Sequence, residues 1–105
     1  MVDALKLVSN YGRPMYVTEN GIADSQDTLR PQFMTVHLRE LHRAIDEGKL
    51  DVRGYFHRAM IDNYELADGF DKRFGLYAVD FQTKTRTLRQ SAGVYRRMIE
   101  TGEGA

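Results

Sequence analysis

One order of segments constrains this chain more than any other feature. An apolar run, Met15-Tyr16-Val17-Thr18, has the look of a short strand and stops at Glu19-Asn20-Gly21. After a polar stretch over residues 22–30, Met34, Leu38, Leu41 and Ile45 recur at spacings of four, three and four, which places them on one face of a helix. A second strand-like run follows over residues 50–60, where Val52, Tyr55, Phe56 and Met60 surround Gly54. Strand, helix and strand in that order is the signature of an α/β layer whose strands run parallel.

The flanks complete the pattern. Ala4, Leu5 and Val8 suggest the last turns of an opening helix, closed at Ser9-Asn10-Tyr11-Gly12, where Asn or Gly can take the left-handed conformation. Asp27 or Thr28 is expected to cap the central helix, Pro31 suits its first turn, and Gly48 closes it. Residues 76–81 and 84–88 read as a hairpin about Gln82 and Thr83. Ser91 is expected to cap a last helix with Val94, Tyr95, Met98 and Ile99 on one face, ended by Gly102, and the tail from Thr101 to Ala105 reads as frayed. There is no internal repeat, so the 105 residues are taken as one domain, 1–105.

Composition narrows the function classes. Fifteen basic and fifteen acidic side chains cancel, so no global charge draws the chain to nucleic acid or an anionic membrane. No cysteine is present, which removes disulfides, thiolate zinc sites and thiol nucleophiles. The first residues lack a basic region followed by an apolar stretch, and no run approaches the length of a membrane span. The expectation is a soluble, cytoplasmic protein with no metal and no cofactor.

Glu19 is the sharpest chemical signal, since a strand delivers a carboxylate and Gly21 lets the backbone turn at once. Reactive groups in α/β folds gather at the carboxyl ends of strands. The competing reading makes Glu19 an acceptor for its own loop. A second cluster runs from Tyr55 to Leu66, where aromatic faces, amides and carboxylates crowd together as a sugar site requires. Its structural alternative is a core strand followed by a loop held by Asp62 and Asn63 turns. His37 and His42, five apart on the helix, read as partly buried residues, and His57 as a strand histidine satisfied by hydrogen bonds. Arg86, Arg89, Arg96 and Arg97 read as a solvated face.

The residues Tyr16-Val17-Thr18-Glu19-Asn20-Gly21-Ile22-Ala23-Asp24, Leu29-Arg30-Pro31, His37-Leu38, Val52-Arg53-Gly54-Tyr55, Asp62-Asn63-Tyr64-Glu65 and Arg73-Phe74-Gly75-Leu76-Tyr77-Ala78-Val79-Asp80 together resemble the C-terminal part of glycoside hydrolase family 1. These are the retaining β-glucosidases and β-galactosidases. The match runs in order from about Tyr11 to Thr101. The resemblance implies an α/β fold made of the last two βα units of a (β/α)8 TIM barrel with an inserted β-hairpin: the seventh strand, the helix after it, the eighth strand, the hairpin and the last helix. At 105 residues such a chain is incomplete as a barrel, which needs roughly 200 to 250.

The resemblance also implies that Glu19 is the nucleophile that forms a covalent glycosyl intermediate, and that Asn20, Glu65 and Phe74 bind substrate, Glu65 through outer hydroxyls of the sugar. The family's acid/base carboxylate belongs to a Thr-x-Asn-Glu-Pro type motif on strand four, which these residues do not contain. A retaining glycosidase uses two carboxyl groups about 5 to 5.5 Å apart, so Glu19 alone is half a mechanism. Arg58 and Leu66 stand where the family usually carries tryptophan, and the chain has no tryptophan at all. The expected function is thus the C-terminal segment of a family 1 retaining β-glycosidase, inactive alone and acting on a β-glycoside or oligosaccharide only in the complete enzyme. The alternative is a non-catalytic α/β oligomerising or interaction module derived from a glycosidase barrel. Two strands cut from a closed sheet would leave edges and an apolar face of Met15, Val17, Val52, Tyr55 and Phe56 open, so the partner is a missing barrel segment or further copies of the chain.

Overall fold

In the computed structural model, residues 1–102 are described. The order is α1 (Val2–Ser9), β1 (Met15–Asn20), α2 (Arg30–Asp46), β2 (Val52–His57), β3 (Tyr77–Val79), β4 (Arg86–Leu88) and α3 (Gln90–Thr101). β1 and β2 pair in parallel, with Met15 opposite Val52, Val17 opposite Tyr55 and Asn20 opposite His57. The crossover between them is α2, as the segment order requires.

Alternation along β1 sends Met15 and Val17 into the core and leaves Tyr16 and Thr18 exposed. Met34, Leu41 and Ala44 of α2 and Met98 of α3 are the other buried apolar side chains among the described residues. Ile45, expected on the buried stripe, is displaced to the surface, and Ala44 takes the inner position. Ile99 of α3 is likewise exposed. Phe56 departs from the expected apolar face too: it is 61% exposed and shares the other side of the sheet with Tyr16, whose ring lies where a Cβ on Gly54 would sit.

The caps differ from expectation in an instructive way. Neither Asp27 nor Thr28 caps α2. Asp24 does so from a distance, its Oδ2 accepting the N–H groups of Leu29 at 2.8 Å and Arg30 at 2.9 Å. Burial pushes the Asp24 carboxyl up, but these N–H donors and the Arg30 charge together hold it below its ordinary value. Asp27 instead caps α3, accepting the Ser91 N–H at 2.8 Å, while Ser91 itself is fully buried and its Oγ has no partner. At the end of α2 the left-handed residue is Lys49 and not Gly48. Gly12 and Gly102 do take that conformation after α1 and α3. Helix α3 runs through Thr101, against the expectation that the chain frays from there, and residues 103–105 of that expected tail lie outside the described residues.

β3 and β4 form the antiparallel hairpin, with Val79 opposite Arg86. Its connection spans residues 80–85 and not the two residues expected. Asp80 organises it, accepting the N–H groups of Gln82 and Thr83 on Oδ1, and Lys84 supplies the positive φ. Hydrogen bonds from Tyr77 N–H to the Met60 carbonyl and from Asp62 N–H to the Tyr77 carbonyl dock the hairpin beyond the end of β2.

The result is a slab of 46 × 31 × 18 Å with a radius of gyration of 15.0 Å. A compact chain of this length would measure about 13 Å. Its accessible surface of 7215 Å² likewise exceeds the roughly 6,000 Å² expected for a folded monomer of this mass. The excess is what two strands and two covering helices expose when no further strands flank them. Among the described residues no helix is long and apolar enough to cross a membrane.

Candidate active site

β1 and β2 end side by side, and the chemistry collects there. Arg58 N–H continues the ladder past β2 by bonding to the Asn20 carbonyl at 3.0 Å. The backbone of the next residue on the first strand then passes directly against it, since a Cβ at Gly21 would overlap the Arg58 carbonyl. Glycine at this position therefore lets the two strand ends converge.

That convergence brings three charged side chains together. Arg58 Nη1 donates to Glu19 Oε2 at 2.9 Å, and its Nη2 donates to Glu65 Oε2. The guanidinium carbon lies 4.8 Å from the centre of the Phe74 ring, so the group is stacked as well as paired. Glu19 is the outer member, with its side chain 65% exposed, whereas that of Glu65 is 10% exposed. The inner oxygen, Oε1 of Glu65, is buried without a hydrogen-bond partner. Leu66, the next residue, is 95% exposed.

Asn20 points elsewhere. Its Nδ2 lies 3.0 Å from both His37 Nδ1 and Tyr55 Oη, tying the end of β1 to α2 and to β2. His37 is half-buried and stacked on Phe33 at 4.0 Å, and burial pushes its pKa down. His42, expected to be partly buried, is exposed and faces Asp46. His57 also departs from expectation: both ring nitrogens are buried without a partner, and burial lowers its pKa to about 4, with the Arg30 charge adding to the effect. Its ring packs 5.8 Å from that of Tyr95.

The loop that carries Glu65 is held by a network that sequence reasoning did not find. Asp62 is 2% exposed and accepts from Arg89 Nη1 and Nη2 at 2.7 and 3.0 Å, Arg73 Nη1 at 3.2 Å, Gly75 N–H at 2.9 Å and Val79 N–H at 3.2 Å. Burial pushes this carboxyl up, but the bonds from Arg89, Gly75 and Val79 outweigh it and hold the group below its ordinary value. Arg89, expected on a solvated face, is thus an interior residue whose side chain is 9% exposed. Arg30 does the same for the first loop. Fully buried, it pairs with Asp27 and donates to the carbonyls of Asp24 at 2.7 Å and Arg73 at 2.9 Å. A doublet such as Arg30-Pro31 opening a helix was the available signal, but nothing in its spacing reveals the carbonyls it meets. Among the described residues no group of three His, Cys, Asp or Glu is arranged to hold a metal ion.

Two parallel strands joined by a crossover helix, with carboxylates gathered at their carboxyl ends, are the repeating unit of α/β folds. The chain belongs to glycosyl hydrolase family 1, whose family model matches residues 2–103. It is 51% identical over 97 residues to a β-galactosidase of Sulfolobus acidocaldarius, a match covering 92% of this chain and 20% of that protein. A hyperthermophilic β-glucosidase from Pyrococcus furiosus superposes with a TM-score of 0.91 at 48% identity, over 97% of this chain and 22% of that one. A β-glucosidase mutant described as derived from a tetrameric structure superposes with a TM-score of 0.92 at 48% identity and the same coverage. The chain therefore spans about a fifth of the length of the relatives it matches, and it is a small α/β piece rather than a closed barrel.

Proposed function

We propose that this chain is the C-terminal segment of a retaining β-glycosidase, a single unit of residues 1–105 supplying the last two βα units with their inserted hairpin. In this reading Glu19 is the nucleophile, and Glu65, with Asn20 and Phe74, belongs to the sugar-binding side of the site. The observation that carries it is the meeting of Glu19 and Glu65 on one guanidinium at the carboxyl end of two parallel strands. An attacking carboxylate must be exposed toward the substrate and must not be held by its own loop, and Glu19 meets both conditions.

The acid/base carboxylate has to come from strands that precede these 105 residues in the fold, so the chain by itself is inactive. Its substrate is a β-glycoside once the barrel is complete. The test is complementation: the chain is combined with a polypeptide carrying the first six βα units of a family 1 enzyme, and hydrolysis of a 4-nitrophenyl β-glucoside is followed. Activity is expected in the mixture, none in either part, and none when the chain carries Glu19→Gln. Arg58→Trp with Leu66→Trp is expected to raise it further by restoring a stacking face and an indole donor. Equal activity with and without Glu19→Gln would overturn the assignment.

A second reading, a non-catalytic oligomerising module, is favoured by one specific observation. Arg58 pairs with the would-be nucleophile, and an attacking carboxylate would have to shed that partner before it could act.

A further inference from the structure

The Arg58 side chain is bound by its surroundings as a ligand is bound. Both of its terminal nitrogens meet carboxylates, Glu19 on one side and Glu65 on the other, and its flat face lies on the Phe74 ring. These four groups come from three separate segments, so sequence neighbourhood does not force them together. Two features show that the place is receptive and not merely filled. Glu65 is nine-tenths buried, yet its Oε1 remains without a partner, so this carboxylate keeps acceptor capacity that Arg58 does not satisfy. The charges of Glu19, Glu65 and Arg58 sum to minus one, so the walls without the guanidinium carry two negative charges around an aromatic face.

We propose that Arg58 is an internal occupant of this place, lying between the two carboxylates where a saccharide would have to sit, and that the space its guanidinium fills is a binding site for a small planar cation of the guanidinium class. The fit follows from three matched elements. A delocalised planar cation presents N–H groups on its edges to two carboxylates and its face to a ring, and a compact ammonium does only the first of these. Any sugar that reaches Glu65 must displace Arg58 first, so the side chain acts as an autoinhibitory plug. This deepens the proposed function by naming what fills its site, and the affinity of that space for a cation stands apart from whether Glu19 attacks a sugar.

Arg58→Ala in the full chain tests the proposal, with guanidinium chloride at millimolar, non-denaturing concentrations as the probe and urea and ammonium chloride as controls of matched shape and matched charge. Calorimetric titration is expected to show saturable guanidinium binding to the variant, none to the unsubstituted chain, and none for either control. Adding Glu65→Gln is expected to weaken the binding about tenfold, the effect of losing one buried charge-assisted hydrogen bond. No saturable binding by folded Arg58→Ala, or equal binding by the unsubstituted chain, would overturn the proposal.

Should Arg58→Ala fail to fold, the guanidinium nitrogens of Arg58 in the unsubstituted chain give a second reading by NMR. Restricted rotation is expected to resolve its two Nη signals, and Glu65→Gln to merge them. Merged signals in the unsubstituted chain would overturn the proposal. Because these readouts follow a cation and not turnover, failure here leaves the complementation result for Glu19 untouched.

Discussion

Asp62→Asn is the perturbation that best tests what holds this open slab together. The carboxylate is 2% exposed and takes five hydrogen bonds, two of them from Arg89, whose own side chain is 9% exposed. Asparagine keeps one acceptor oxygen but removes the charge, leaving the Arg89 guanidinium interior and uncompensated. Breaking one side of a buried pair costs about 3 to 5 kcal/mol. The retained acceptor and the guanidinium's bond to the Gly75 carbonyl at 2.7 Å argue for the lower end, about 3 kcal/mol. Small domains have about 5 kcal/mol or a little more in all, with urea slopes near 1 kcal/mol/M, so the midpoint is expected to fall by about 3 M. Urea titration followed by circular dichroism reads this directly. The substitution should also remove part of the acid sensitivity. The folded pKa of Asp62 lies below its unfolded value, so its contribution is present above that unfolded value and is lost as pH falls through the folded one. In a double-mutant cycle with Arg89→Met the two losses should be far from additive. A midpoint shift under about 0.5 M with an unchanged slope would refute the reasoning, because it would mean that the pair holds nothing.

Two further outcomes follow. His57 is kept neutral by burial, with a folded pKa of about 4 against about 6.5 unfolded, so the unfolded chain binds the extra proton and stability falls as pH drops from about 6.5 toward 4. His57→Phe is expected to flatten that part of the stability profile measured by thermal melts, and parallel profiles for the two proteins would count against it. The unpaired outer edges of β1 and β2, with Tyr16 56% and Phe56 61% exposed on one side of the sheet, are expected to drive self-association into closed homo-oligomers. Sedimentation velocity should show a mass that falls on dilution, and a sharp monomer at high micromolar concentration with a melting midpoint indifferent to dilution would exclude it.

The parts of the fold that were legible in the sequence are those set by a local period. Met15 and Val17 alternate inward as a strand requires, and Met34 and Leu41 lie on the inner face of a helix. Turn chemistry was legible in part. Gly12 and Gly102 take the conformation that glycine tolerates, but Lys49 does so where Gly48 was expected, because the turn's geometry is set by the Leu50 N–H reaching back to Ala44. What could not be read was which polar group answers which orphan. Asp27, Thr28 and Ser91 are the caps expected from sequence, Asp24 is not, and the pairing of Asp27 with a helix 64 residues away is decided only when the two loops pack. The hairpin shows the same limit, since Asp80 can hold six residues as readily as a two-residue turn could have held its arms.

The site divides along a similar line. Glu19 is legible because a strand, a carboxylate and a glycine are contiguous, and Glu65 because it stands in a motif that the family shares. Arg58 is visible only as a departure, an arginine where the family usually has tryptophan. Sequence gives no hint that this one change would link the two carboxylates, because its reach depends on how closely Gly21 lets the strand ends converge. The consequence is physical. Glu65 is nine-tenths buried, and a buried carboxylate is costly without a countercharge. In a complete barrel other strands and a bound sugar could supply its donors. In this slab Arg58 supplies one donor, at Oε2, and the same guanidinium holds Glu19, so a single side chain ties the buried carboxylate to the exposed one while Oε1 stays without a partner.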